Sequence, residues 1–172
     1  LAAVKFIRES MIEKGIKASY ALGGITAHMV KMHEEGLIKR LIDVQSFDKV
    51  AAESVKNNEF HKEVSASEYA AADEQGSATH YLDIVILSAL EVDVDFNVNV
   101  LVGSDGIIRG AIGGHPDTAA DSALSIIVCP LLRGRIACVV DKVTTLITPG
   151  ATVDVVVTEY GIAVNPRRPE VA

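Results

Sequence analysis

Between Glu91 and Leu101 the chain alternates without a break. Val92, Val94, Phe96, Val98 and Val100 are apolar, and Asp93, Asp95, Asn97 and Asn99 stand between them. A period of two sends successive side chains to opposite faces of a strand, whereas a helix would scatter both sets around its axis. The run therefore predicts one β-strand with its valines against a core. Glu91, Asp93 and Asp95 fall together on the other face. Like charges on one face repel, so that face is expected to meet solvent or a ligand.

A second run, Leu82 to Leu87, is apolar and predicts a strand covered on both faces. Ser104-Asp105-Gly106 is a turn that returns the chain into a strand over 107–111, a hairpin. Further β-runs are expected at Leu124–Cys129, Cys138–Val143 and Val153–Thr158, with a short helix near Thr118–Ala123. Pro149-Gly150 reads as another turn. The first half has a different rhythm. Residues 1–14 predict a helix stopped by Gly15. Ile16–Leu22 predicts a strand ending at Gly23-Gly24, and Thr26 then caps a helix to about Glu35. Leu37–Val44 predicts a strand, with Ser46 capping a helix that carries Phe47, Val50, Ala51 and Val55 on one face. The stretch 63–79 predicts a loop with at most a helical turn. Aromatics are only 5% of the chain, so the core is aliphatic. Together these features predict an α/β fold, with a mixed, largely parallel sheet flanked by helices.

The net charge is -7 and no basic stripe is visible, which disfavours nucleic acid as a partner. No apolar run approaches the roughly 20 residues of a membrane span. Cys129 and Cys138 lie in strand-like runs and read as reduced, buried thiols of a cytoplasmic protein. No metal site is expected. His28 and His33 are five apart in one helix and share a face poorly, and the cysteines lack further ligands at zinc spacing. The chain opens on Leu1 inside an amphipathic pattern and stops after a Pro/Arg cluster, so it is expected to be a fragment.

Gly110-Ala111-Ile112-Gly113-Gly114-His115-Pro116-Asp117 is the densest candidate for chemistry. Glycines after a strand and before a helix let backbone amides approach a ligand and hold a carboxylate or oxyanion. The same spacing also fits a purely structural turn. His115 and Asp117 are a possible base and orienter, although residues two apart on a turn seldom pair well. Arg133, Arg135, Arg167 and Arg168 have the fork geometry that suits carboxylates and phosphates, and are otherwise solvated surface groups.

Three stretches occur in order: Ser88-Ala89-Leu90-Glu91-Val92-Asp93, the glycine turn, and Thr158-Glu159-Tyr160-Gly161-Ile162-Ala163. They resemble the acetyl-CoA hydrolase and CoA-transferase superfamily. Within it, Asp43-Val44-Gln45-Ser46-Phe47-Asp48, the run from Leu87 to Val100, Gly103-Ser104-Asp105-Gly106 and Gly161 to Pro169 are similar to the citrate lyase alpha-subunit family. That resemblance implies a CoA-transferase-like fold of two similar α/β halves with a cleft between them. Residues 1–172 would be a partial C-terminal, second-half domain, with the N-terminal half and extreme C-terminus absent. It implies a transferase exchanging acetate for citrate on the thioester of an acyl-carrier (gamma) subunit, beside a beta subunit that cleaves the citryl group. No cofactor is expected to bind this chain tightly, the CoA-like phosphoribosyl-dephospho-CoA arm belonging to the carrier.

Related CoA-transferases carry a catalytic glutamate in a Gln-Ser-Glu-Asn-Gly stretch. The matching residues here are Gln45-Ser46-Phe47-Asp48-Lys49, with phenylalanine at the nucleophile's place. A phenyl ring forms no acyl intermediate. The resemblance therefore leads to direct attack of the substrate carboxylate on the acetyl thioester. Gly113, Gly114 and the displaced acid Asp48 are the expected catalytic groups. Gln45, Ser46, Glu91, His115, Asp117, Arg135 and Arg167 are the expected contacts to substrate or carrier. An acetyl-CoA hydrolase or acetate CoA-transferase using free CoA is the alternative, and a non-catalytic scaffold domain is the alternative of another class.

Overall fold

The computed structural model describes residues 2–71 and 76–172, with the side chains of Ala2 and Ala3 left aside. It resolves into two compact units, residues 1–69 and 70–172. Part of the expected 63–79 loop, 72–75, lies outside the described residues.

Unit 1 begins with α1 (Ala2–Lys14), closed by Gly15 at φ 64. It continues through β1 (Ala21–Ile25), α2 (Ala27–Glu34), β2 (Leu41–Ser46), α3 (Lys49–Asn57), β3 (His61–Glu63) and α4 (Ala66–Tyr69). The three strands are parallel in the order β1-β2-β3. Both main strands sit later than their apolar runs predict. Ile16–Ala18 and Leu37–Ile38 contribute only an isolated bridge, Ala18 to Ile38, and β1 runs through Gly23-Gly24 rather than stopping there. The core is aliphatic: Met11, Ile25, Val30, Met32, Ile38 and Leu41 are buried around Ala51. A fully buried aliphatic side chain of this size contributes about 1.5–3 kcal/mol.

Unit 2 contains β4 (Ile84–Ser88), β5 (Glu91–Asp93), β6 (Val98–Asn99), α5 (His115–Asp121), β7 (Leu124–Val128), β8 (Leu132–Arg133), β9 (Ile136–Ala137), β10 (Val139–Val140), β11 (Val155–Thr158) and β12 (Gly161–Val164). The main sheet is ordered β12-β11-β7-β4, parallel except for β12. A smaller sheet, β10-β5-β6, packs its Val92 and Val98 with Ile127, Val153 and Val156.

The alternating run is not one strand. It folds back on itself, so that Glu91 faces Asn99 and Val92 faces Val98 across an antiparallel pair. The fold-back is fixed by Asp93, whose Oδ1 accepts from the amides of Asp95 (3.0 Å) and Asn97 (2.9 Å). Phe96 takes the left-handed conformation at φ 67. The expected wet face is corrected with it: Glu91 and Asp93 are buried, and only Asp95 of the three acids is exposed. The expected 107–111 strand is reduced to one bridge, Val102 to Ile108, around the turn at Gly106. Finally, β4 is not covered on both faces, since Ile84 is 53% exposed and Ile86 41%.

Candidate functional site

Four of the singled-out positions lie at the carboxyl ends of β1 and β2: Gln45 and Ser46 close β2, and Phe47 and Asp48 begin the loop after it. In open parallel α/β sheets this is the edge at which ligands bind. The register slips between Gly23 and Gly24, which face Asp43 and Gln45 and so skip Val44. Phe47 donates its amide to Ile25 O at 2.9 Å and lays its ring over Gly24. A Cβ on Gly24 would stand 1.9 Å from Phe47 Cε2, so the glycine makes room for the ring.

Asp48, not Ser46, caps α3. Its Oδ1 accepts from Ala51 N at 2.9 Å, and its Oδ2 accepts from Ala27 N at 2.7 Å. One carboxylate thus closes the first turns of both α3 and α2. Thr26 is the N-cap residue of α2 as expected, but its side chain makes no capping bond and its Oγ1 is buried without a partner among the described residues. The Ala27 and Ala51 amides hold the Asp48 carboxyl below its ordinary value. Both its oxygens are engaged and its charge is stabilised, which makes a poor acyl acceptor.

Ser46 is also engaged: its Oγ donates to Asp43 Oδ2 at 2.5 Å. Asp43, 1% exposed, further accepts from Gln45 N at 2.7 Å and lies 3.2 Å from His61 Nε2. His61 is 2% exposed, and its Nδ1 is 2.9 Å from Ser54 Oγ. Sequence reasoning missed Asp43 as a hub and His61 altogether. The His61-Lys62-Glu63 segment has no apolar pattern to mark it as a strand. The Gln45 side chain is exposed, and no described residue bonds its carboxamide. A cavity of about 540 Å³ in this unit lies elsewhere, around Lys17, His33, Lys39 and Phe60, and is lined by none of these loop residues.

In unit 2, the glycine turn leads into α5. Gly113 has φ 54, and Gly114 is the N-cap residue. Gly110 allows a close backbone approach, because a Cβ there would stand 2.1 Å from Val100 O. No described residue accepts from the amides of Gly113 or Gly114. His115 is a clamp rather than a free base. Its Nε2 donates to Ser88 O at 2.9 Å, and its Nδ1 accepts from Thr148 Oγ1 at 2.6 Å. Burial pushes its pKa down, so the ring is neutral and both nitrogens are occupied. Asp117 sits in the first turn of α5 and does not orient that ring, whose two nitrogens bond elsewhere.

Glu91 is saturated as well. Its carboxylate accepts from Asn99 Nδ2, Thr144 N and Thr144 Oγ1 at 2.8–2.9 Å. It lies on the wall of a small cavity of about 140 Å³ that Arg109 and Arg133 also line. Arg135 and Arg167 are exposed. Arg133 donates to Ala89 O, and Arg168 pairs with Asp154 and Glu170, so these two act within the fold. Among the described residues there is no group of three or more His, Cys, Asp or Glu placed to hold a metal, and no helix long and apolar enough to cross a membrane.

The family model for "Citrate lyase, alpha subunit (CitF)" matches residues 1–172. The citrate lyase alpha chain of Escherichia coli (strain K12) is 59% identical over 172 residues, covering all of this chain and 34% of its own. The citrate lyase alpha chain of Klebsiella pneumoniae is 56% identical over 168 residues, covering 98% of this chain and 33% of its own. The chain thus spans about a third of the length of the curated relatives it matches. A Streptococcus mutans crystal structure, solved as the alpha subunit of citrate lyase in complex with citrate, superposes with a TM-score of 0.94 at 56% identity, covering 98% of this chain and 33% of that one. The alpha subunit of an Acinetobacter baumannii malonate decarboxylase shares the fold at a TM-score of 0.68 and 14% identity, covering 91% of this chain and 37% of that one.

Proposed function

The chain belongs to the citrate lyase alpha-subunit family, and we propose that it supplies part of a transferase site that exchanges acetate for citrate on the thioester of an acyl-carrier subunit. The observation that carries this reading is the loop after β2. Phe47 stands where related enzymes place an acid, and both oxygens of the neighbouring Asp48 are held by helix amides. No carboxylate of that loop is available to be acylated, which favours direct attack by the substrate.

In that sequence a citrate carboxylate oxygen attacks the acetyl carbonyl. The carbon–sulfur bond breaks and the carrier thiolate leaves, giving an acetyl-citryl anhydride. The thiolate then attacks the citryl carbonyl, the anhydride carbon–oxygen bond breaks, and acetate departs. Two oxyanions form along the way. The unpaired amides of Gly113 and Gly114 are suited to stabilise one, and each such donor is typically worth about 3–4 kcal/mol. The Gln45 carboxamide is free to contact a carboxylate or carbonyl. Glu91 and His115 support their surroundings rather than substrate. Exposed Arg135 and Arg167 are suited to an anionic arm on the carrier.

The reading places the chain in a cytoplasmic complex with a beta subunit and the carrier. The test is acetate release from acetyl-carrier on adding citrate to the complete subunit, followed by intact-mass analysis. Turnover with no acetyl adduct on the polypeptide is expected. A covalent adduct on Asp48 would overturn direct attack, and turnover with free acetyl-CoA alone would favour the hydrolase alternative.

A further inference from the structure

Unit 1 contains a buried polar chain that the proposed reaction does not use. It runs from Ser46 Oγ to Asp43, from Asp43 to His61, and from His61 to Ser54. Asp43 and His61 are almost fully buried, while Ser46 and Ser54 are half-buried at its two ends. Burying a carboxylate beside an imidazole is expensive unless every lone pair and proton is matched. Here they are matched in one consistent tautomer. His61 Nε2 donates to Asp43, the Ser54 hydroxyl donates to Nδ1, and the Asp43 carboxylate also accepts from Ser46 Oγ and Gln45 N.

The chain joins three elements to one loop. Asp43 is on β2, His61 on β3 and Ser54 on α3, and the anchored residues are Gln45 and Ser46. The far end of the same loop is fixed by Asp48, and its middle by the Phe47 amide on Ile25. Ser46 Oγ, the Gln45 and Phe47 amides and both Asp48 oxygens are thus committed, while the exposed Gln45 carboxamide is bonded by no described residue. We propose that Asp43 and His61 are positioning residues that hold the Gln45–Asp48 loop in register, so that the Gln45 carboxamide meets the reacting acyl group at a fixed place. The inference rests on the transferase reading for its activity readout, but not for its structural one.

The test uses the complete subunit carrying this segment, as wild type and with Asp43→Asn, His61→Gln, His61→Leu or Ser54→Ala. Exchange of acetate for citrate is measured together with hydrogen exchange at the Gln45, Ser46 and Phe47 amides. Asp43→Asn is expected to lower kcat roughly 10- to 100-fold while citrate KM stays within about twofold, the pattern of a misplaced group rather than lost binding. The loop amides exchange about tenfold faster or more in the same variant. His61→Gln, whose carboxamide can still donate to Asp43, recovers part of the loss seen in His61→Leu, and Ser54→Ala loses at most about threefold. If Asp43→Asn fails to fold, the His61 pair carries the comparison. A folded variant with unchanged loop exchange overturns the proposal, and so does a rise in KM at constant kcat. Absence of turnover in the wild type would sink the transferase reading, and loop exchange would then decide the network by itself.

Discussion

Removing the Asp48 side chain takes an acceptor from two helix starts at once, at Ala27 and Ala51. A lost N-cap typically costs about 1 kcal/mol, so Asp48→Ala is expected to destabilise unit 1 by about 2 kcal/mol in a denaturant titration, and Asp48→Asn by less. Glu91→Ala strands Asn99 Nδ2, Thr144 N and Thr144 Oγ1, and is expected to cost about 3 kcal/mol or more by the same measurement. Asp48's cap on α3 was open to sequence reasoning, since its partner Ala51 is three residues on, but its second partner, Ala27, is 21 residues away and was not; Glu91's role was not open either. Glu91 reads as wet because Thr144 is 53 residues away. The free Gly113 and Gly114 amides are different: glycines between a strand and a short helix carry their own backbone geometry, and that turn is legible locally.

Elements whose ends are encoded by neighbours are read well, and elements placed by pairing are not. Gly15 and Gly36 stop α1 and α2 at positive φ, and β7 and β11 follow their apolar runs. β3 is invisible in sequence because its edge pairing with β2 defines it. The split of the alternating run into β5 and β6 escaped because the period of two survives the fold-back, with Val92 and Val98 still turned to one core. Two glycine substitutions separate backbone from side-chain crowding. Gly110→Ala meets the Val100 carbonyl oxygen at 2.1 Å, which cannot swing aside, and is expected to destabilise by roughly 3 kcal/mol or more in thermal denaturation. Gly24→Ala meets only the half-exposed Phe47 ring, so stability falls by about 1 kcal/mol or less while the loop, and with it turnover, is disturbed.

Charge is divided unequally across the molecule. Residues 1–69 contain ten acidic and ten basic side chains, so the whole net charge of -7 resides in residues 70–172. Each unit nevertheless holds one buried histidine, His61 or His115, whose pKa burial pushes below the ordinary 6.5. At pH values between the folded and unfolded values, the unfolded chain binds a proton that the folded one refuses. Stability is therefore full above about pH 6.5 and falls as the pH drops from there toward the lower folded values, so the melting temperature is expected to hold level above about pH 6.5 and to decline below it. His115→Gln, which can still donate and accept, should flatten that decline for unit 2 in a pH series of melts. The main sheet of unit 2 has a consequence of another kind. Ile84, Ile86 and Ile162 stand in register with Leu124, Ile126 and Val157 on one side of it, and all three isoleucines are more than 40% exposed. A parallel β-layer left bare on one flank is greasy, so a concentrated solution of this polypeptide alone would be colloidally unstable. Lysines introduced at Ile84 and Ile86 would lower its turbidity while leaving the opposite, packed flank untouched.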